Sequence, residues 1–357
     1  MLKKIAYKIA YILLVIWGVA SLVFVLFSIL PGDPSRMMMG QRENEEMRLA
    51  IQQKYGFDQP IHKQYLYYLN DLSPISLHSN NTNDFTNTNN HLYNIFVSFS
   101  ISESALVLKV PYLRSSFVRK DISVANIISD TLPNTFILAF AAILIALFFG
   151  LFLGVCSAIH QHKFIDQFLS VISVLGMALP SFFSAIIIAW LFGFLWEKHT
   201  GLSMTGSLFE VDDYGRGEYI VWKNLILPAI TLGIRPLAVV IQLTRNSILD
   251  TLNEDFIRTA KAKGLSSFRI LFIHALPNAL NPVVTSASGW LASMLAGAVF
   301  IEFIFGWNGL GKEIVYALNY MDLPVVMGAV LTLSICFVAI TILTDLIYYL
   351  LDPKLRV

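Results

Sequence analysis

Charge is what this 357-residue chain has little of: Asp, Glu, Lys and Arg make up 14% of it, with 25 Lys+Arg against 24 Asp+Glu. Soluble domains carry about 25% charged residues, so the polar surface here cannot cover a water-soluble body. A formal net charge of +1 gives no basic footprint, which excludes a nucleic-acid binder. Cysteine is scarce too. Cys156 and Cys336 both lie in apolar runs and imply no disulfide framework. The seven histidines show no zinc-type spacing beyond His160-x-His162, a solvated pair beside Lys163. No His-Glu-x-x-His and no nucleophile elbow occur, so motifs give no catalytic residue and no metal site. What abounds is apolar: 56% of the residues are hydrophobic and the mean hydropathy is +0.64. This composition belongs to a multi-pass membrane protein.

A spanning helix needs about 20 mostly apolar residues. Six stretches qualify: 9–30, 134–159, the interval 166–197 with Gly176 and Pro180 in its middle, 223–245 interrupted by Arg235, 282–301, and 323–351 with Asp345 near one end. The first follows Lys3, Lys4 and Lys8 but exceeds the apolar core of a signal peptide, and residues 30–34 (Leu-Pro-Gly-Asp-Pro) are no small-residue cleavage site. It reads as an uncleaved anchor. Six spans put both termini on one side. With that side cytoplasmic, the inner segments hold Lys3, Lys4, Lys8, Lys163, Arg245, Arg258, Lys261, Lys263, Arg269, Lys354 and Arg356. The short outer loops hold only Lys198, Arg216, Lys223 and Lys312, so the positive-inside bias favours both termini in the cytoplasm.

The chain then divides into an inner tip and anchor helix (1–30), a large outer loop (31–131), a five-helix core (132–351) and a cytoplasmic tail (352–357). The outer loop starts with helical periodicity at Met47, Leu49, Ile51 and Tyr55, up to the breaker Asp58-Gln59-Pro60. It continues into an Asn/Thr-rich run at 80–90 that buries too little apolar area to offset its ordering entropy and reads as a mobile insert.

The inner loop 246–281 does not read as a linker. Residues 250–264 suggest a helix with acids such as Glu254 early and Lys261 and Lys263 late, matching the macrodipole, and stopped by Gly264. Ser266 or Ser267 can cap a second helix that runs up to Pro277. Ala260, Ala262 and Gly264 would let a cytoplasmic partner approach closely, while Arg258, Lys261 and Lys263 either offer salt-dependent contacts to acidic groups or form a merely solvated, positive-inside face. A membrane-surface helix is the alternative.

This loop resembles the EAA loop of ABC-importer membrane subunits. Counting from Gly264, the match holds at Ala260, Leu276 and Pro277 and departs at Arg258, Thr259 and His274. The string Arg258-Thr259-Ala260-Lys261-Ala262-Lys263-Gly264-Leu265 is similar to the variant of dipeptide/oligopeptide permeases. So are residues 30–34, Gly56-Phe57-Asp58-Gln59-Pro60 with Gln64-Tyr65, Leu132-Pro133-Asn134-Thr135, residues 305–311, and Leu351-Asp352-Pro353. Residues 73–120 fall outside the likeness. The resemblance implies an all-α membrane protein with six transmembrane helices, type I ABC-importer-like, N-in and C-in, in a bacterial inner membrane. Its implied partners are a second homologous permease, two ATP-binding subunits that carry ATP and Mg, and an extracytoplasmic substrate-binding protein. The implied cargo is di- or oligopeptides, with nickel complexes or another solute as alternatives. An ion-coupled secondary transporter is the competing class, but no inverted repeat or midplane acid is evident.

Residues 306–312 satisfy the first part of a P-loop, Gly-x4-Gly-Lys, but Glu313 replaces the Ser/Thr and no strand precedes it. They read as a glycine-rich turn, which leaves ATP hydrolysis to partners and no cofactor in this chain. Arg235 lies ten residues from Arg245, about 15 Å along a helix, so it stands near mid-bilayer. It suits either a buried ion pair or the polar lining of a path. Ser181, Ser286 and Ser293 are further candidates for that lining, and Gly150, Gly154, Gly176, Gly289 and Gly297 for close helix packing.

Overall fold

The computed structural model describes residues 2–29, 35, 39, 44–81, 86, 87, 93–101, 104–212, 215 and 217–351. The motif at 30–34, most of the Asn/Thr-rich run, Arg216, and the tail with Asp352, Pro353, Lys354 and Arg356 lie outside them. Two compact units form, one from residues 1–131 and 313–335, the other from 132–312 and 336–357.

The first unit contains α1 (Leu2–Ile29), α2 (Glu45–Tyr55), α3 (Ile61–Leu72), strands β1 (Ile75–Ser79), β2 (Ile95–Ile101) and β3 (Ser104–Lys109), and parts of three later helices. Asn44 caps α2 by accepting the Glu46 N–H at 3.0 Å, and Gly56 ends it at φ +70°, where a side chain would be strained. The strands form an antiparallel sheet in the order β1-β3-β2. This corrects the all-α expectation and puts strands on either side of the Asn/Thr-rich run, in the stretch that falls outside the resemblance. The signal was present as alternation in 104–109, where Ala105, Val107 and Lys109 point inward. The opposite face exposes Ile75, Leu77, Val97, Phe99 and Leu108.

Beneath the sheet lies a buried polar cluster. Asp71 is ion-paired to Arg114 Nε at 2.9 Å and accepts the Tyr93 hydroxyl at 3.2 Å, while its carbonyl accepts Lys109 Nζ at 2.5 Å. His78, 2% exposed, donates from Nδ1 to the Thr86 carbonyl and accepts the Ser76 hydroxyl at Nε2, both at 2.8 Å. Burial holds the His78 pKa below its ordinary value, so the neutral ring is the favoured form in the fold.

The second unit holds most of α4 (Val124–Ile159), then α5 (Phe164–Ala178), α6 (Ser181–Ile188), a π-helical continuation (Ala189–Leu195), the β4 (Phe209–Val211) and β5 (Glu218–Ile220) hairpin, α7 (Lys223–Leu252), α8 (Asp255–Ala262) and α9 (Leu276–Phe305). Next come α10 (Leu310–Asn319) and α11 (Leu323–Leu351), which the boundary between the units crosses. Among the described residues, five helical runs are long and apolar enough to cross a membrane, or six if the bent pair α5 and α6 counts as one. That pair replaces the single third span expected over 166–197. It bends by 108° because Pro180 holds Leu179 extended, at ψ 132°.

Helix α7 is the inner member of this unit. A Cβ on Gly150 would stand 2.6 Å from Val240, and one on Gly154 2.6 Å from Thr244, so these glycines let α4 and α7 touch. A Cβ on Gly176 would stand 3.3 Å from Ile234 and 3.4 Å from Ala238, a tight approach of α5 to α7, whereas Gly289 and Gly297 face open space. At the far end of α9, the fully buried Glu302 carboxylate accepts the Gly311 and Lys312 amides at 2.6 and 3.2 Å. It fills the helix N-terminus that a P-loop would offer to phosphate. Trp307 donates to the Asn134 carbonyl at 3.0 Å, and the Leu310 amide to Thr135 at 2.8 Å.

Two outcomes follow from these contacts. In Gly309→Ala the new Cβ would stand 2.4 Å from Glu302 Cδ, and thermal unfolding of the purified chain should show a loss of about 1–3 kcal/mol. An unfolded chain protonates histidine near pH 6.5 but this buried one resists, so the sheet binds fewer protons than its unfolded form and weakens as pH falls below about 6.5. Amide exchange at the fully buried Val107, corrected for intrinsic rate, should accelerate from pH 7 to 5, and His78→Gln should flatten the trend.

Candidate functional site

The loop 246–281 is folded against its own bundle. Helix α7 runs on through Asp250 to Leu252, so the expected single helix over 250–264 is two: a turn at Asn253-Glu254 separates α7 from α8. Asn253 Nδ2 donates to the Leu249 carbonyl at 3.0 Å and closes α7. Glu254, exposed, stands at the N-cap of α8 without a side-chain capping bond.

Helix α8 ends as expected. The Leu265 amide donates to Ala260 O at 3.3 Å and the Gly264 amide to Lys261 O at 2.9 Å, with Gly264 at φ +77°. This is the Schellman arrangement, which favours glycine. Open space surrounds the position, so backbone conformation rather than room selects the residue.

One face of α8 is inward. Ile257 and Ala260 pack with Ala158 of α4, Ile248 of α7, and Ile270, Leu271, Ala275 and Ala279, with Leu276 partly buried at the edge. Ala260 is 7% exposed and faces its own bundle, which corrects its expected place under a partner. Arg258, Lys261, Lys263 and Gly264 are outward, with Phe256 (45% exposed) and Phe268 (72%) beside them in sequence. The outward face is therefore basic with two aromatic rings, on a helix that its apolar side fixes in place.

The second expected helix does not stop at Pro277. It runs unbroken from Ser267 to Phe305. Residues Ile270–Ala275 form a π-turn just before the proline, and the wider turn accommodates a residue that lacks an N–H and crowds the preceding turn. Pro277 itself is exposed. Ser266 stands at the cap position of this helix without a side-chain bond.

Sequence reasoning missed the ionic centre nearest this loop, having counted Arg245 only as an inner positive charge. Asp166, 3% exposed in the first turn of α5, takes Arg245 Nε at 2.5 Å and Nη2 at 2.8 Å. It also accepts the Ser157 hydroxyl at 2.6 Å and the His162 amide at 2.9 Å. Four donors thus join the end of α4, the 160–163 turn, α5 and α7 at one carboxylate. The available sign was an acid opening an otherwise apolar run, which demands a partner.

Arg235, halfway along α7, is exposed and makes no hydrogen bond or ion pair among the described residues. The ion pair considered for it is not formed among the described residues. Ser181 opens α6, and Ser286 and Ser293 lie seven residues apart on α9, so near one face of it. Ser293 donates to the Gly289 carbonyl at 3.1 Å. No hydrogen bond joins Arg235 to these serines among the described residues.

A profile described as the binding-protein-dependent transport system inner membrane component matches residues 146–357, and its N-terminal companion matches 1–83. The chain belongs to this family. Residues 84–145, with β2 and β3, fall between the two matches. Full-length relatives agree. The chain is 32% identical to a di/tripeptide transport system permease protein, DppB, of Pseudomonas aeruginosa, across 100% of this chain and 99% of that one. It is 31% identical to a probable D,D-dipeptide transport system permease protein, DdpB, of Escherichia coli, over 96% and 94%. It is also 31% identical to a dipeptide transport system permease protein, DppB, of Bacillus subtilis, over 95% and 92%. A chain of the MetNI methionine ABC transporter, solved in inward-facing conformations, shares the fold at TM-score 0.50 and 18% identity, covering 64% of this chain and 97% of that one. This family member is a multi-pass membrane protein and a transport-system permease component.

The Asp166 cluster has a measurable weight in this permease. Asp166→Asn keeps the shape but leaves Arg245 without its counter-charge, and removing one member of a buried pair costs about 3–5 kcal/mol. Arg245 is 21% exposed at its side chain, so the low end of that range is expected in thermal unfolding. Arg245→Lys should recover part of the loss but not the bidentate geometry.

Proposed function

We propose that this chain is the permease subunit of an ATP-driven, binding-protein-dependent importer of di- and oligopeptides, and that α8 couples it to cytoplasmic ATPases. The observation that carries the reading is α8 itself. Its apolar side is bound to three helical segments of the bundle, and Arg258, Lys261 and Lys263 are left outward on a Gly264-terminated helix. A short helix with an outward basic face, on which Arg258 is also paired with the exposed Asp255 at 3.1 Å, can pass a push from a partner into α7 and α9, which a flexible linker cannot. The dipeptide permeases among the relatives support the peptide cargo.

In this reading the bent α5–α6 pair is one of six spans, and the positive-inside bias puts both termini in the cytoplasm. Residues 31–131 are then extracytoplasmic, where a substrate-binding protein would deliver cargo. The segment 132–351 is the core, with loop 246–281 on the ATPase side. A second, homologous permease completes the path, toward which Arg235, Ser181, Ser286 and Ser293 contribute polar groups. Arg235 suits the carboxylate of a peptide or an acid of the second permease, since an unpaired cation at that depth demands an anion or water. ATP and Mg belong to the partner subunits, and this chain performs no chemistry of its own.

Reversing two outward charges tests the reading. In Arg258→Glu with Lys261→Glu, both at exposed positions, the chain should stay folded. Capture of the cytoplasmic ATPases from detergent extracts should fall about tenfold at low salt, with the difference shrinking as salt rises. Equal capture by both forms would remove α8 from the interface. No ATPase captured by the wild type would turn the assignment toward an ion-coupled transporter.

A further inference from the structure

The first unit contains a cavity with no role in the reading above. It is a hollow of about 100 Å³ lined mainly by aromatic and aliphatic groups, among them Phe24, Phe57, Phe117 and Met327. That is the order of an apolar cavity that takes up a benzene-sized molecule. A second hollow, about 340 Å³, shares Phe24 and Ser28 with the first and runs along α1 past Ser21 to Trp17. From Trp17 to Ser28 the joined groove covers about 16 Å of helix.

Its polar groups are nearly all engaged. Gln64 Nε2 donates to the Phe57 and Gln59 carbonyls at 3.1 and 2.8 Å, Arg114 is paired with Asp71, and Ser21 shares a 2.6 Å hydrogen bond with Tyr65. Tyr68 is the exception. Its ring lies against Phe24 at 5.6 Å, and it is 5% exposed, yet its hydroxyl has no partner. A buried hydroxyl without a partner is costly and calls for a missing acceptor. Burial pushes the Tyr68 pKa up to about 12, so the group remains a donor at any physiological pH.

We infer that this groove is a binding site for one membrane phospholipid, with an acyl chain laid along Trp17–Ser28 and an ester carbonyl accepting the Tyr68 hydroxyl. The bilayer is the occupant the surroundings select. Helix α1 is a candidate span whose most apolar stretch is only 11% buried within the chain, so the groove continues a surface that hydrocarbon already covers. The first hollow is lined at the other side by Leu323 and Pro324, the opening residues of the span α11. It therefore sits at the end of two spans, where glycerol esters lie.

The test uses the full chain in phosphatidylethanolamine vesicles doped with a phosphatidylethanolamine that carries a diazirine in one acyl chain. After illumination, adducts mapped by mass spectrometry should concentrate on the Trp17, Phe24 and Met327 peptides. Ser28→Trp adds bulk at an exposed position where the two hollows meet, and should reduce those adducts at least about fivefold while leaving adducts on α9 unchanged. Tyr68→Phe keeps the ring and removes the donor, and should lower phospholipid retained through detergent washing about two- to tenfold, the worth of one hydrogen bond. Adducts spread evenly over the exposed faces of α1, α4 and α9, and indifferent to both substitutions, would mean ordinary surrounding lipid and overturn the site. A Ser28→Trp form with unchanged Phe24 and Met327 adducts would do the same.

Discussion

Backbone groups inside hydrocarbon have no water to bond, so each place where a helix bends or stops must supply its own donors and acceptors. Much of the second unit meets that demand with carboxylates. Glu302 receives two amides at the start of α10, and Asp166 receives an amide together with a guanidinium and a hydroxyl. Each takes the bonds that a broken helix would otherwise leave open, and each ties together segments distant in sequence. Glycines then admit these groups: Gly309 and Gly311 leave room where a Cβ would collide with Glu302 or with α9. The P-loop-like spelling at 306–312 is a by-product of that packing demand.

The long spans were legible because length and apolarity are local properties that need no knowledge of the fold. Gly264 was legible for a related reason, since a helix end in the left-handed region favours glycine whatever surrounds it. The Asp166–Arg245 pair was not, because its members are 79 residues apart and nothing in either neighbourhood names the other. Pro277 misled for a definite reason. The rule that proline ends a helix assumes an α-ladder, and the chain meets the proline with a wider turn. Ala260 was expected to admit a partner and instead packs on its own bundle, because periodicity alone does not say whether a short helix turns that face outward or home.

The sheet between α3 and α4 shows the same division. Alternation in β3 and the apolar run in β2 were visible, but the neighbouring Asn/Thr-rich tract dominated the composition of the whole stretch. What stabilises the fold there is a buried cluster of Asp71, Tyr93, Lys109 and Arg114, whose worth depends on every member finding its partner.

The π-turn at Ile270–Ala275 carries a consequence of register. A π-turn holds one residue more than an α-turn, so the chain before it is offset by one position from the helix that follows. Relaxing that turn to α-geometry would move Ser267 and everything attached to it by about 1.5 Å along the axis and about 100° around it. Helix α8 is joined to this point by four residues, Lys263 to Ser266. Its outward basic face is therefore mounted on a screw of one thread, with its setting held by the proline that follows.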